Sequence, residues 1–175
     1  MSPAELRLRA VAAGKGRALW FGANRVTITA TGEDTDGSYG AWVTWAPPGS
    51  SPPLHVHRGV DEAFWVAEGL VRFRVADREF VFGPGGYVLL PREVPHTFIV
   101  EGPSDAVMFG MLSPGGSERY FAEAGVPARF EGLPPAGPPD VERLMRAGEA
   151  YGIEIIGPPL RRSEPAHPVS ASVPR

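Results

Sequence analysis

The chain has 175 residues, enough for one domain with a hydrophobic core of its own and too few for two. Its 17 Lys and Arg against 20 Asp and Glu give a net charge of −3, so no basic excess is available for phosphates, and nucleic acid is not an expected partner. Cysteine is absent, which excludes disulfides, thiolate nucleophiles and thiolate-held metals and leaves imidazole and carboxylate as the ligand types to search for.

Residues 1–20 carry scattered charges and no apolar block long enough for a signal peptide or a spanning helix. They read as an N-terminal arm, and a cytoplasmic location with no membrane partner is expected. Residues 21–113 read as the barrel proper: RVTITA, AWVTWA, EAFWVA, LVRFRV, REFVF, YVLLP, HTFIV and AVMFGML are short β-rich runs punctuated by Gly and Pro. Gly69 and Ala76-Asp77 interrupt alternating stretches, as hairpin turns do. GPGG at 83–86 is a turn and not a phosphate loop, because no Lys-Ser or Lys-Thr follows and YVLLP reads as a strand.

The pattern changes after Pro114, and residues 114–160 read as a helical extension packed on the barrel. Ser117 is the expected N-cap and Gly125 the stop of a first short helix. A second helix starts near Asp140, with Val141, Leu144, Met145 and Tyr151 on one face. IEIIG is brief enough to be an edge strand or a docked segment. Residues 161–175, including His167, read as a flexible tail, and Glu33-Asp34-Thr35-Asp36 as a solvated loop without calcium-loop spacing.

The chemistry concentrates in the β region. In His55-Val56-His57, residues i and i+2 of an extended strand share a face, so two imidazoles can converge on one ion. Glu62 follows a segment able to turn the chain and adds an oxygen donor from the next strand. His96 heads the run HTFIV and joins them only if the sheet curls back on itself, as a barrel does. Glu68 falls on the same face by alternation, although its place beside Gly69 favours a solvated turn. Glu93 sits in a turn near His96, and Arg58 and Asp61 flank the ligands without an assigned role.

The run Gly49-x5-His55-x-His57-x4-Glu62-x6-Gly69 matches every specified position of the first motif of the cupin superfamily. A second run keeps Gly85, Pro91 and His96 of the second motif, with Glu93 where the consensus has glycine and Val100 where it has asparagine. The resemblance spans roughly residues 45–112 and implies an all-β, cupin-type jelly-roll barrel, commonly a homodimer, holding one metal on His55, His57, Glu62 and His96. Ligation by imidazole and carboxylate suits manganese, iron, cobalt, nickel, copper or zinc. Four protein ligands leave coordination positions open on a six-coordinate ion.

Alternation places Phe64 and Val66 with Glu62, and Phe98 with His96, on the inward face. If Phe109 and Met111, or Trp45 and Val43, also point inward, the chamber is aromatic and suits a planar apolar small molecule. The wider stretch, with SERYFAEAG and the later YGIEIIGPPL, is similar to single-domain bacterial cupins of the quercetin 2,3-dioxygenase type. That resemblance implies cleavage of a flavonol-like or other enolisable substrate with O2, with Glu62 as ligand and general base. Two other readings stay open: a non-oxygenase cupin, isomerase or lyase, with the same ligands, and a cupin that binds a small molecule without turning it over.

Overall fold

The structure, a computed structural model, describes residues 8–12, 14–137 and 140–162. His167 and the rest of the segment from 163 onward lie outside the described residues, as does most of the first part of the arm. Ten strands come first: β1 (Arg17–Phe21), β2 (Asn24–Ala30), β3 (Gly40–Ala46), β4 (Pro53–His57), β5 (Asp61–Glu68), β6 (Val71–Val75), β7 (Arg78–Phe82), β8 (Tyr87–Leu90), β9 (His96–Val100) and β10 (Ala106–Ser113). Helix α1 (Arg119–Ala124), the short β11 (Val126–Pro127), helix α2 (Val141–Ala150) and β12 (Ile153–Pro159) follow. Residues 17–20, read from sequence as part of an arm, are therefore strand, paired along its length with β2. Among the described residues no helix is long and apolar enough to cross a membrane.

The strands form two antiparallel sheets, a larger one in the order β11-β1-β2-β3-β10-β5-β8 and a smaller one in the order β12-β4-β9-β6-β7. Their facing surfaces make a jelly-roll barrel. Alternation sends every second residue of each strand inward. The larger sheet thus contributes Trp42, Phe64, Val66 and Met108 to one core, and the smaller sheet Phe73, Phe98 and Val100. The hairpin turns expected at Gly69 and Ala76 are present, and both residues adopt positive φ, 83° and 53°.

IEIIG resolves as part of β12, an edge strand whose Ile153 and Ile155 lie opposite His57 and His55. The two helices pack against each other beside it, and Arg143 of α2 donates to the carbonyls of Glu123 (2.7 Å) and Gly125 (2.7 Å) at the C-terminal end of α1. Asp140 caps α2 as expected, accepting from the Arg143 amide at 3.0 Å. Two local expectations are corrected. Met145 is exposed, and the buried face of α2 runs through Ala147 and Gly148 instead. Ser117 does not cap α1; the N-cap is Glu118, whose side chain turns away from the helix.

That side chain has another task. Glu118 is 0% exposed, and its two carboxylate oxygens accept from the amides of Gly32 (2.9 Å) and Gly116 (2.6 Å). It ties the loop after β2 to the entry of α1, and space for it exists because residue 40 is glycine: a Cβ there would lie 2.3 Å from a Glu118 oxygen. Replacing Glu118 by alanine leaves two amides unpaired beside a cavity, a cost of about 2–4 kcal/mol. Chemical denaturation of the Glu118→Ala variant measures it; a loss under 1 kcal/mol contradicts this account.

Candidate metal centre and its chamber

The four expected ligands meet at one end of the barrel. His55 and His57 project from β4, and His96 from β9, where it stands directly across from His55. Glu62 comes from β5 on the opposite sheet. One donor atom from each of the four lies within 4.8 Å of all the others. Donors about 2.1 Å from a common ion sit at most about 4.2 Å apart, so the cluster is within a fraction of an ångström of ligand spacing.

The protonation pattern fits a cation. The Nδ1 atoms of His55 and His96 lie 2.8 Å from the carbonyls of Pro53 and Val94. A carbonyl only accepts, so each Nδ1 donates and each Nε2 is left with its lone pair facing the site. His96 Nε2 and His57 Nδ1 are both buried without a hydrogen-bond partner. Glu62 Oε2 approaches Nε2 of His96 to 3.4 Å and of His57 to 3.8 Å. Burial, reinforced by the neighbouring His96 and His57, pushes the His55 imidazole down to about 4. Burial likewise lowers His57, against the opposing pull of Glu62. For Glu62 burial acts upward, but His57, His96 and His55 outweigh it and hold the carboxyl below the ordinary glutamate value. Neutral imidazoles beside an ionised carboxylate are the donor set a divalent transition metal requires.

Glu93 explains how a departure from the consensus glycine is accommodated. Its φ is 65°, a conformation that disfavours a side chain. The strain is offset locally: its amide donates to the His57 carbonyl (2.9 Å), and its carboxylate accepts from the Gly59 amide (2.9 Å) and from Arg58. Arg58 also pairs with Glu154 of β12, and Asp61 with Arg92 at 2.8 Å. Arg58 and Asp61 thus fasten the loops that carry the ligands.

A cavity of about 540 Å³ opens beside the four ligands. Phe64 and Phe98 line it as expected. Val66 points inward but lies in the packed core and not on the cavity wall. Phe109 and Met111 do not belong to it: on β10 the inward positions are Met108, Gly110 and Leu112, and Phe109 is 40% exposed on the outer face. Trp45 and Val43 are on that outer face too, because the inward residues of β3 are Trp42 and Thr44. Glu68 is also turned outward. The register shifts between Val107 and Met108, so that Val66 opposes Met108 while Glu68 opposes Val107, and this bulge breaks the alternation that sequence reading extends to Glu68.

Sequence reasoning missed Trp42, Thr44, Phe21, Tyr120 and Phe121, all of which line the cavity. A signal for Trp42 was present in β10. Gly110 stands opposite Trp42 and Phe64, and a Cβ on it would come within 2.4 Å of the indole. The missing side chain lets the indole lie across β10 and meet Phe64 edge-on, with ring centroids 5.9 Å apart. Tyr120 and Phe121 come from α1 and pack edge-on against Phe21 of β1, at 5.2 and 5.1 Å.

The structure is an antiparallel β-barrel in which a buried three-histidine, one-glutamate cluster able to hold a metal ion stands beside an aromatic chamber. Residues 42–112 match the family model for the cupin domain, and this match together with the fold supports the cupin superfamily. Among solved structures, it is similar to a predicted oxalate decarboxylase from Thermotoga maritima, with TM-score 0.57 and 16% identity over 60% of this chain and 98% of that one. It is also similar to an RmlC-like cupin from Shewanella frigidimarina, with TM-score 0.53 and 18% identity over 62% of this chain and 93% of that one. Among curated proteins, 85 residues are 26% identical to quercetin 2,3-dioxygenase of Bacillus subtilis (strain 168), covering 49% of this chain. The match spans only 25% of that relative's length.

Two outcomes test the centre. Protein refolded with a divalent transition metal binds about one equivalent by plasma emission analysis, and the His55→Ala/His57→Ala variant binds none; full metal content in that variant refutes the site. In metal-free protein the unfolded chain takes up a proton at His55 below its ordinary 6.5 while the folded chain resists until about 4. Stability therefore falls as pH drops through that window, and the His55→Ala variant shows a shallower decline of Tm between those limits.

Proposed function

We propose that this cupin is a metal-dependent dioxygenase that cleaves a flavonol-like or other enolisable aromatic substrate with O2. The observation that carries the reading is the chamber lining. Six aromatic rings stand on the walls, and among the described residues Glu62 is the one acidic or basic residue on them besides the histidines, with no Arg or Lys there to receive a phosphate or carboxylate. A planar, uncharged ring system buries its faces against Trp42, Phe64 and Phe98 at little desolvation cost. The partial likeness to quercetin 2,3-dioxygenase supports the same substrate class.

His55, His57, Glu62 and His96 would hold the metal, which when bound supplies Lewis-acid stabilisation of a deprotonated substrate oxygen. The chain's own residues do the rest. Glu62, ionised in this setting, accepts the proton of the substrate's enolic hydroxyl at a carboxylate oxygen. The electrons that reduce O2 come from the substrate, and both oxygen atoms enter the products, so no external reductant is consumed. Thr44 and Tyr120 line the cavity and bring hydroxyl groups to it. Burial pushes the Tyr120 phenol up to about 12, so it is a neutral donor at any physiological pH. Together they orient a carbonyl or hydroxyl on the bound ring system. We read the assembly as a homodimer, on the evidence of an exposed aromatic face on the larger sheet.

An oxygen electrode tests the reaction. Metal-reconstituted protein consumes O2 with at least one flavonol or β-diketone, and Glu62→Gln lowers the rate by more than about 100-fold. Tyr120→Phe raises KM for a hydroxylated substrate about tenfold with kcat little changed. No uptake with any such substrate overturns the proposal, and product formation under strict anaerobiosis assigns the site to an isomerase or lyase.

A further inference from the structure

Two short loops, 58–60 and 91–95, lie beside the ligand cluster, and three of its four donors border them. His57 ends β4 just before the first loop, Glu62 is the second residue of β5 beyond it, and His96 opens β9 directly after the second loop. Side chains tie the two loops together at both ends. Asp61 accepts from the Arg92 amide at 2.8 Å and from the Arg92 guanidinium at 2.8 Å. Glu93 donates its amide to the His57 carbonyl at 2.9 Å, while its carboxylate accepts from the Gly59 amide at 2.9 Å and from Arg58. Arg58 in turn reaches β12: its Nε donates to Glu154 at 3.1 Å, and its amide donates to the Gly152 carbonyl at 2.7 Å.

This fastening is built at a strained position. Among the described residues Glu93 is one of three non-glycine residues with positive φ, and the one of them that stands within three residues of a clustered donor. Glycine would take the same backbone without strain, but it would leave Arg58 and the Gly59 amide without this partner. Strained residues persist where their surroundings over-determine them, and they gather at functional sites. Arg58, Glu93 and Glu154 are each about half exposed, and a single pair of that kind holds little. One guanidinium gripped by two carboxylates forms a network, and this one joins both loops to β12. The path from it to the donors is short. Glu93 grips the carbonyl of His57 itself, and the next residue, Val94, offers the carbonyl that keeps the His96 proton on Nδ1 and leaves Nε2 for the site.

We propose that Glu93 is a positioning residue for the metal centre: the clasp it forms with Arg58 and Glu154 holds His57 and His96 at ligand spacing before an ion arrives. The inference rests on the metal-binding reading of the four donors and is independent of the reaction the chamber supports. Loops fixed in advance need not be ordered when the ion binds, so the clasp raises affinity without touching the ion. Its charges are half exposed although the donors they serve are buried. Salt therefore screens the clasp far more than it screens the donors, and retention of the ion becomes sensitive to ionic strength.

Cobalt(II) is the probe, because imidazole and carboxylate donors bind it and its d–d absorption reports the coordination geometry. The metal-free full chain is titrated with cobalt(II), and release is followed after adding excess chelator. Glu93→Gly relieves the strained φ, so the metal-free Tm stays at or above the wild-type value while the cobalt dissociation constant rises about tenfold or more and the d–d band shifts. Glu93→Gln keeps an acceptor for the Gly59 amide and lies between the two in affinity; it carries the test if the glycine variant does not fold. Raising salt from about 0.05 M to about 1 M speeds cobalt release from the wild-type chain several-fold and changes release from Glu93→Gly little. A wild-type chain that binds no cobalt overturns the metal-binding reading and this inference together. Equal affinity and an unshifted band in Glu93→Gly leave the metal centre standing and overturn the positioning role. A loss of affinity matched by a comparable fall in metal-free Tm overturns it as well, assigning Glu93 to the stability of the fold.

Discussion

Three imidazoles share one end of this barrel with ring centroids between 4.5 and 5.2 Å apart, a spacing eased because burial disfavours protonation of His55 and His57. Two backbone carbonyls, of Pro53 and Val94, decide which nitrogen of His55 and His96 keeps its proton. Everything else about the centre follows from that. The carbonyls belong to the entries of β4 and β9, so the strands that present the rings also fix their tautomers. Glu62 supplies the one negative charge from the facing sheet, and the two sheets must curl together for it to arrive. The jelly roll is thus the geometry that lets a carboxylate and three lone pairs point at a common place.

Much of this was legible in the sequence because it depends on strand alternation and fixed spacing. His55 and His57 share a face by period two, Glu62 and Phe64 share another, and Gly49, Gly69 and Gly85 all take positive φ, as turn positions of the cupin motifs do. The sequence was misleading where alternation alone could not set the phase. AWVTWA reads equally well with Trp42 or Trp45 inside, and the deciding clue, Gly110, lies on a different strand. Phe109 and Met111 were misplaced by the same ambiguity. Glu68 was read correctly from its place beside Gly69 and not from alternation: a bulge shifts the phase within β5, and bulges leave no mark in a single alternating run.

The extension beyond residue 114 does more than cover the barrel. Tyr120 and Phe121 of α1, Leu144 of α2 and Ile153 and Ile155 of β12 all reach the chamber. Arg143 binds the end of α1 to the start of α2, and Glu118 binds α1 to the loop after β2. One wall of the chamber is therefore built from sequence that the cupin motifs do not specify. The four clustered donors and this wall of the chamber are encoded in separate stretches of the chain, so the wall can be redrawn while the cluster is kept.

Trp42 and Gly110 carry this division of labour into the barrel itself. The indole occupies the volume that any larger residue at 110 would claim, so the two positions constrain each other although they are far apart in sequence. Related chains with a bulkier residue at 110 must shrink the one at 42, and the pair should vary in concert. Chamber width is then inherited as a two-residue allele within the fold, free to drift without disturbing any of the four clustered donors.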